Sequence, residues 1–310
     1  MKRIKGLLLL VWICTQALGA SEARRVTVAQ DGTGDFRTLT EAVESVRALM
    51  DFKVTIYVKA GIYKEKLVIP AWIQHVEIVG ESAETTVITH DDHAKINNMG
   101  TFRTYTVRVD ADDVTFRHIT IENNAPRLGQ AVALHTEGNR LRFYQCRFLG
   151  NQDTVYTGGA HTSLYFEDCY IEGTTDFIFG SATAWFERCT IHSKANSYIT
   201  AASTPENAAY GYIFSHCRLT VDEGVTKVYL GRPWRPYAYT LFIYCEMGSH
   251  IRPEGWHNWR NPANETTARY MEYGNTGPGA DRTGRVAWCR KLTDKEAQAI
   301  DASDVLKMEL

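Results

Sequence analysis

The stretch Phe143-Tyr-Gln-Cys146-Arg-Phe148 decides the fold, because its pattern returns four more times. An aromatic residue is followed three positions later by a cysteine, and two positions after that by an apolar side chain. The later copies begin at Phe166, Phe186, Phe214 and Phe242, at intervals of 20 to 28 residues. Short strands that repeat at such a period are typical of chains that stack as successive coils. The sequence therefore predicts an all-β fold, a parallel β-helix. A β-sandwich, which also contains many short strands, is the alternative.

Short helices are predicted near both ends of this stack. Thr38-Leu-Thr-Glu41 and Thr293-Asp-Lys-Glu296 are capping boxes, in which Thr and Glu side chains satisfy free N–H groups at a helix start. The first predicts an N-terminal capping helix through about Leu49, which would cover the open edge of the first coils. The second predicts a short C-terminal helix through about Ile300.

The first twenty residues differ in composition from the rest of the chain. Lys2, Arg3 and Lys5 precede an apolar run at positions 7–14, and small residues follow at positions 17, 19 and 20. This is the pattern of an export signal, with cleavage expected between residues 19 and 23. The run is shorter than the roughly 20 apolar residues that span a membrane. We therefore expect a signal peptide at 1–20, one domain at 24–310 and a secreted or periplasmic protein. A short anchor that stays attached is the alternative.

The charge balance argues against a nucleic-acid partner. Loss of residues 1–20 removes three cations and no anion, so 34 Lys and Arg become 31, against 36 Asp and Glu. The mature chain then carries a net charge near −5. Nucleic-acid-binding domains usually show the opposite sign. A local basic patch would still allow an anionic substrate.

Six of the seven cysteines follow the predicted signal, and five of these share the repeated position. Strands of adjacent coils lie about 4.8 Å apart, which is within the Cα separation that a disulfide needs. Cys169 and Cys189 have the shortest interval, 20 residues, and are the candidate disulfide. The alternative is a column of buried free thiols that act as small apolar side chains.

Three polar residues recur at one interval: Gln130, Asp153 and Asp176 are each 23 residues apart. Polar residues at one phase of successive coils become neighbours, so the three are expected to line up on an outer face. Two carboxylates about 5 Å apart do not both ionise easily, so one pKa rises and the two titrate as a pair. A purely structural role is the alternative, since Asp and Gln also stabilise turns.

A cation beside one carboxylate would separate the roles of the two. Arg232 heads a strand at a similar phase in a later coil and is expected to reach the site from the side. It would keep Asp176 ionised as a nucleophile and leave Asp153 protonated as an acid. The side-chain amides of Gln130 and Gln152 would donate hydrogen bonds to a developing oxyanion.

At these positions the sequence resembles the pectin methylesterase family over almost the whole of residues 24–310. The resemblance rests on four segments in order, which are Gly129-Gln-Ala-Val-Ala-Leu134, Gln152-Asp-Thr-Val-Tyr156, Asp176-Phe-Ile-Phe-Gly180 and Leu230-Gly-Arg-Pro-Trp234. Three further segments support it: Asp31-Gly-Thr-Gly-Asp-Phe36, Gly255-Trp256 and Tyr273-Gly-Asn-Thr-Gly277. The resemblance implies a right-handed parallel β-helix that hydrolyses the C6 methyl ester of galacturonate in pectin. It implies no cofactor and no metal.

The same resemblance assigns roles to individual residues. Asp176 falls on the nucleophile, Asp153 on the general acid and later base, and Arg232 on the residue that holds the nucleophile. Gln130 and Gln152 fall on the oxyanion-binding positions. Four aromatic residues, Tyr156, Phe179, Trp234 and Trp256, fall on sugar-contacting positions, whereas Trp72 and Trp259 are expected to be structural.

Two features set the chain apart from many family members. His135 follows the first motif at a position where many members carry arginine, and no long inhibitory region precedes the catalytic domain. The chain thus resembles microbial single-domain forms, and a monomer is expected.

Two other functions remain open from the sequence. Two carboxylates about 5 Å apart also suit a retaining glycosidase, and β-helices host galacturonases and pectin lyases as well. The second alternative is an exported β-helix that binds pectin without catalysis.

Overall fold

The computed structural model describes residues 24–310 and contains three parallel sheets that run along one β-helix. Most coils contribute one strand to each sheet, and each strand pairs in parallel with the corresponding strands of adjacent coils. This confirms the predicted all-β parallel β-helix.

Each sheet is ordered along the β-helix axis by coil. Sheet 1 has eleven strands in this part of the chain: Arg24–Val28, Val54–Val58, Val76–Gly80, Thr115–Arg117, Leu141–Tyr144, Ser163–Glu167, Thr183–Glu187, Tyr212–Ser215, Tyr239–Ile243, Arg269–Tyr273 and Arg290–Lys291. Sheet 2 has eight: Gly61–Lys64, Thr86–His90, Thr120–Asn123, Arg147–Leu149, Tyr170–Gly173, Thr190–Ser193, Arg218–Val221 and Glu246–Met247. Sheet 3 has seven: Leu67–Ile69, Val107–Val109, Leu134–Thr136, Val155–Thr157, Ile178–Gly180, Tyr198–Ala202 and Tyr229–Gly231.

The repeated sequence pattern forms the corner between sheets 1 and 2. The residue before each cysteine has a left-handed backbone, with φ of 51° at Gln145, 52° at Asp168 and 50° at Arg188. Such a backbone costs about 1–2 kcal/mol per residue, and buried phenylalanine stacking offsets this cost. The rings of Phe143 and Phe166 lie 4.6 Å apart at 13°, and the column continues through the later copies.

The candidate Cys169–Cys189 disulfide is wrong, because the structure holds both residues as buried free thiols. Each Sγ donates to a carbonyl of the preceding coil, Cys169 to Phe143 at 3.4 Å and Cys189 to Phe166 at 3.5 Å. Each Sγ also lies 3.4 Å from a carbonyl of its own turn, that of Glu167 or Glu187, so both thiols are surrounded by backbone acceptors. The side chains fill the corner as small, nearly apolar groups, which is the alternative expected from the sequence.

Both predicted capping boxes are present. The N-terminal helix spans Leu39–Glu44 and buries Leu39, Ala42 and Val43 against the first coils. It ends before the predicted Leu49, at the C-cap Ser45, whose hydroxyl donates to the Ala42 carbonyl at 2.7 Å. The predicted helix is therefore real but shorter.

The C-terminal region contains two helices where the sequence predicted one. The helix Asp294–Gln298 follows the capping box, and a second helix, Ala302–Leu306, begins at Asp301, whose carboxylate accepts from two backbone N–H groups. Val305 and Leu306 pack in a cluster with Trp185 on the outer face of sheet 1. The remaining short helical segments are Asn264–Thr267 and the 3₁₀ turns Ile96–Asn98, Thr101–Arg103 and Pro278–Ala280.

The predicted signal peptide, residues 1–20, lies outside the described residues and stays a prediction. From residue 24 onward, no helix combines the length and apolar character needed to cross a bilayer.

Candidate active site

Asp153 and Asp176 occupy the same turn of adjacent coils, at the entrance to sheet 3. Each stands two residues before a strand residue, and those strand residues, Val155 and Ile178, pair in register. Both aspartates have left-handed backbones, with φ of 67° and 48°, a conformation that Asp tolerates better than most residues. The Asp153 N–H donates to the Thr175 carbonyl at 3.0 Å, which ties the two turns together. The 23-residue interval therefore does place the two carboxylates side by side in the stack.

Arg232 holds the carboxylate of Asp176 in a two-point contact. Its Nε donates to Oδ1 at 2.9 Å and its Nη2 to Oδ2 at 2.6 Å. The guanidinium lies between two aromatic faces, 3.8 Å from the ring centre of Trp259 and 3.9 Å from that of Tyr198. Bidentate pairing and stacking both fix the plane of a guanidinium. The orientation of the Asp176 carboxylate is therefore set by a rigid partner.

Arg232 reaches Asp176 across an intervening strand. Ile178 pairs with Thr200, and Thr200 pairs with Gly231, so Arg232 lies two coils away and later in its coil than Asp176. The residue beside it in the intervening strand is Ala201, which also lines the site. A methyl side chain leaves room for the arginine to pass. Arg232 thus approaches Asp176 from the side, although it follows the strand Tyr229–Gly231 and does not head a strand at the phase of Asp176, as the sequence predicted.

The two carboxylates have different electrostatic surroundings. Burial raises the pKa of Asp153 well above its usual range, the charge of Asp176 raises it further, and Arg232 opposes both. Burial also raises the pKa of Asp176, but the hydrogen bonds and charge of Arg232 counteract that rise. Burial raises the pKa of the Tyr270 hydroxyl well above its usual range, and the charge of Asp176 raises it further. At a pH between the two transitions, Asp153 is protonated while Asp176 is ionised.

Gln130 and Gln152 lie together beside the aspartates, but in a different register from the one predicted. The equal intervals aligned Gln130 with Asp153, whereas the structure pairs Gln130 with Gln152 in an isolated parallel bridge. Further along, Leu134 pairs with Val155, only 21 positions away, so the coil that contains Gln130 is shorter here. Both glutamine side chains are half-buried and line the same cavity as the aspartates.

These residues surround an open cavity of about 350 Å³. Its lining combines the polar groups with aromatic side chains from four segments of the chain. The lining residues are Thr101, Phe102, Gln130, Gln152, Asp153, Asp176, Phe179, Ala201, Arg232, Trp234 and Trp259. Thr101 and Phe102 belong to the 3₁₀ turn Thr101–Arg103, and the sequence analysis missed both because this turn carries no repeat.

The aromatic residues form a connected surface around the cavity. Phe179 and Trp234 both line it, with ring centres 5.8 Å apart. Tyr156 stands behind them, 5.0 Å from Phe179 and 4.9 Å from Phe102. Phe102 is 43% exposed and offers an open ring. Three of the four predicted sugar-contacting aromatics are thus in or beside the cavity.

The prediction for the fourth aromatic residue, Trp256, is wrong, and Trp259 lies at the cavity instead. Trp256 is only 1% exposed and stacks on Tyr270 in the core, with ring centres 4.1 Å apart, so it offers no face to a ligand. Trp259, which the sequence assigned a structural role, lines the cavity over Arg232. The two tryptophans are three residues apart in the sequence. The motif alone does not indicate which of the two side chains faces outward.

His135, at the position where many relatives carry arginine, is buried beside the cavity. It is 2% exposed, and its Nε2 lies 3.0 Å from Oε1 of Glu137. Its ring packs against Tyr156 with centres 4.7 Å apart. The residue therefore supports the aromatic surface from below.

One cluster of potential metal ligands exists in the described part of the chain, and it lies apart from the cavity. His90, Asp91 and Asp92 bring their ligand atoms within 4.8 Å of one another. Lys64 Nζ lies 3.2 Å from the Asp91 carboxylate, and Lys66 Nζ lies 2.5 Å from that of Asp92. Both carboxylates already have a cationic partner, and none of the three residues lines the cavity.

Comparison with known proteins identifies the family. The model of the pectinesterase family matches residues 25–308. The chain is 40% identical over 285 residues to Pectinesterase 31 of Arabidopsis thaliana, covering 88% of this chain and 89% of the relative. It is 38% identical to Putative pectinesterase 11 of the same plant, covering 92% and 80%. Among solved structures, a pectin methylesterase from carrot superposes with a TM-score of 0.88 at 30% identity, covering 93% and 94%.

Fold and site together define a parallel β-helix protein with a pair of buried aspartates at an aromatic-lined cavity. With the matches over nearly its whole described length, the chain belongs to the pectinesterase family and is a carboxylic ester hydrolase that de-esterifies pectin. The predicted family is thereby confirmed. The relatives named here are plant proteins, so they lend no support to the predicted microbial type.

Proposed function

We propose that the protein hydrolyses the C6 methyl esters of homogalacturonan, with Asp176 as nucleophile and Asp153 as general acid and then base. The support is the asymmetry of the aspartate pair. Arg232 contacts Asp176 through two hydrogen bonds, whereas Asp153, which is buried to a similar extent, has the more strongly raised pKa. A nucleophile must be ionised and an acid protonated, and this environment favours that division.

In the first half of the reaction, an oxygen of Asp176 attacks the ester carbonyl carbon, and the carbonyl oxygen takes up negative charge. The amide N–H groups of Gln130 and Gln152, which line the same cavity, donate hydrogen bonds to this oxyanion. The tetrahedral intermediate then collapses with cleavage of the bond to the methoxy oxygen. Asp153 gives its proton to that oxygen, and methanol leaves.

In the second half, the galacturonate acyl group is bound to Asp176 as an anhydride. Asp153, now ionised, accepts a proton from a water molecule that attacks the anhydride. The bond between the acyl carbon and the Asp176 oxygen breaks, which releases the free acid and restores the ionised Asp176. The proton stays on Asp153, so the starting state returns.

The aromatic surface supports a sugar polymer as substrate. The faces of Phe102, Phe179, Trp234 and Trp259 suit the apolar faces of pyranose rings, and they exclude water from the carboxylates. One solved relative, 27% identical with a TM-score of 0.79, is a pectin methylesterase in complex with a hexasaccharide. By analogy we assign the aromatic-lined cavity to successive galacturonate units, with Tyr156 supporting it from behind.

We further propose that the protein acts as an exported monomer after loss of residues 1–20. Pectin is an extracellular cell-wall polymer, so its esterase must reach it, and the N-terminal sequence has the pattern of an export signal. N-terminal sequencing of the protein recovered outside the cytoplasm should begin between residues 20 and 24. A protein recovered with residues 1–20 attached would contradict the proposed processing, and light scattering at the mass of a dimer would contradict the monomer.

Product analysis on highly esterified homogalacturonan tests the reaction itself. We expect release of methanol with no new reducing ends and no ultraviolet-absorbing unsaturated product. New reducing ends would indicate a galacturonase, and unsaturated product would indicate a lyase. Binding of the polymer with no product at all would indicate a lectin.

A further inference from the structure

A buried ion pair lies next to the active site at the C-terminal end of the stack. Glu272 is 1% exposed, and its two carboxylate oxygens accept from Arg285, at 2.8 Å from Nε and 3.0 Å from Nη2. The Glu272 oxygen Oε1 also accepts from the indole Nε1 of Trp256 at 3.1 Å. A buried carboxylate with several charge-assisted hydrogen bonds is a fixed anchor. The Trp256 side chain is therefore held from both sides, by Glu272 at its N–H and by Tyr270 at its face.

The backbone around Trp256 supports the strand that leads into Arg232. Residues 255–257, here called the support segment, form a parallel bridge between Trp256 and Gly231. The Leu230 N–H donates to the Gly255 carbonyl at 2.7 Å, and the His257 N–H donates to the Gly231 carbonyl at 3.1 Å. Since Arg232 follows Gly231 directly, the support segment fixes where the arginine leaves the stack.

The support segment also positions the ring that covers the guanidinium. The Trp259 N–H donates to Nδ1 of His257 at 3.1 Å, and Trp259 has a left-handed backbone with φ of 60°. Its ring lies 3.8 Å from the centre of the Arg232 guanidinium. Both the backbone and the aromatic cover of Arg232 thus depend on one short segment, and that segment is tied to the core through the Trp256 side chain.

We propose that Glu272 is a positioning residue for the esterase reaction, acting through Trp256 on Arg232 and so on the Asp176 carboxylate. The inference rests on the proposed role of Arg232 as the clamp of the nucleophile. Loosening the anchor lets the guanidinium drift, which both misplaces Asp176 and weakens the charge that keeps it ionised. A displacement of about 1 Å in a reacting group can cost about 100-fold in rate.

Trp256→Phe is the direct test, because it removes the indole N–H and keeps an aromatic ring against Tyr270. Trp185→Phe is the matched control. Trp185 is 5% exposed and its Nε1 donates to Glu187 at 2.9 Å, so the same bond type is lost, on the outer face of sheet 1 away from the cavity. Both variants leave unchanged the charged and titratable groups that face Asp176, namely Asp153, Arg232 and Tyr270.

For Trp256→Phe we expect kcat to fall about tenfold with KM little changed. We also expect the acidic limb of the kcat/KM profile to move to higher pH, since a looser Arg232 opposes the burial of Asp176 less. Trp185→Phe should leave kcat and the acidic limb at their original values, even where the two variants lose similar thermal stability. Glu272→Gln should act in the same direction as Trp256→Phe.

The inference is overturned if Trp256→Phe lowers the melting temperature but leaves kcat and the acidic limb unchanged, since Trp256 would then be merely structural. It is also overturned if Trp185→Phe shifts both to the same extent. Glu272→Gln leaves Arg285 partly unpaired in the core and risks misfolding, in which case Trp256→Phe alone decides. An active Asp176→Asn variant would instead refute the proposed chemistry, so the two failures are distinguishable.

Discussion

Arg232, which directly follows a strand two coils further along the stack, binds the Asp176 carboxylate through two hydrogen bonds, at 2.9 and 2.6 Å. Burial raises the pKa of both aspartates, but Arg232 opposes it at Asp153 by charge alone and at Asp176 by hydrogen bonds as well. Two chemically equal side chains on adjacent coils are thereby made unequal. The division of labour in the proposed mechanism depends on this inequality.

Replacement of the clamp should slow the reaction and change its pH dependence. Arg232→Lys keeps a charge but loses the bidentate contact and the stacking on Trp259 and Tyr198. We expect kcat/KM to fall about 100-fold, from the lost orientation of Asp176. The acidic limb should move to higher pH, because the pKa of Asp176 rises when the cation is held less closely. The measurement is kcat/KM for methanol release from pH 4 to pH 9.

The matched control for this substitution is Arg188→Lys. Arg188 is also held by carboxylates, those of Asp168 and Glu167, but on the exposed outer side of the stack. Its replacement should leave the pH profile where it was. An unshifted acidic limb in Arg232→Lys would show that the arginine does not control the ionisation of Asp176.

The pH profile of the unmodified enzyme should be bell-shaped. The rate rises as Asp176 ionises and falls as Asp153 loses its proton, so activity is confined between two transitions that belong to the coupled pair. In Asp153→Asn the alkaline transition should disappear along with most of the activity. A rate in the unmodified enzyme that keeps rising well above neutral pH would argue against Asp153 as the acid.

The raised pKa of Asp153 also predicts a gain in stability when the carboxyl is removed. A carboxyl whose pKa is higher in the folded than in the unfolded state lowers the free energy of unfolding at pH values where the unfolded state would ionise it. Its cost is absent below the unfolded pKa and grows as the pH rises towards the folded pKa. Asp153→Asn should therefore raise the free energy of unfolding at pH 7, with little gain at pH 3. Urea unfolding at both values measures it, and an equal effect at the two would contradict the cause.

The exposed ring of Phe102 should contribute to substrate binding. Phe102→Ala removes an open aromatic face at the cavity, and we expect KM for pectin to rise about three- to tenfold, since such contacts contribute about 0.5–1.5 kcal/mol. The matched control is Trp72→Ala, which removes a 57% exposed ring outside this cavity. Equal values of KM in the two variants would place the sugar-binding surface elsewhere.

The buried thiols make a further prediction that separates the structure from the disulfide expected from the sequence. Unfolding without reductant, followed by alkylation and peptide mapping, should find Cys169 and Cys189 fully alkylated. A peptide pair joined through these two cysteines would contradict the structure.

The sequence predicted the β-helix and the aspartate pair because both depend on a local period. The copies from Phe143 to Phe242 specify an inward ring, a left-handed corner and a cysteine in each coil, so the interval between them is also the spacing of the stack. Asp153 and Asp176 stay 23 residues apart in both sequence and register. The 23-residue interval did not predict the register of Gln130. Gln130 pairs with Gln152 and not with Asp153, because its coil is shorter.

The parts that sequence analysis missed depend on contacts between distant segments. Phe102 reaches the cavity from a turn with no repeat, and its position is set by packing on Tyr156. Trp256 and Trp259 are three residues apart, and the one that faces inward is selected by a hydrogen bond to Glu272, which lies 16 residues further along the chain. Such a choice has no local signature in composition or spacing.

The central claim is that Asp176 is the nucleophile, and methanol release by Asp176→Asn tests it most directly. The amide keeps the size of the side chain but removes the charge that attacks the ester, so pectin binding should persist. We predict a loss of turnover of about 10⁴-fold or more, with binding of esterified homogalacturonan within a few-fold of the unmodified protein. Methanol release at the unmodified rate would contradict the claim.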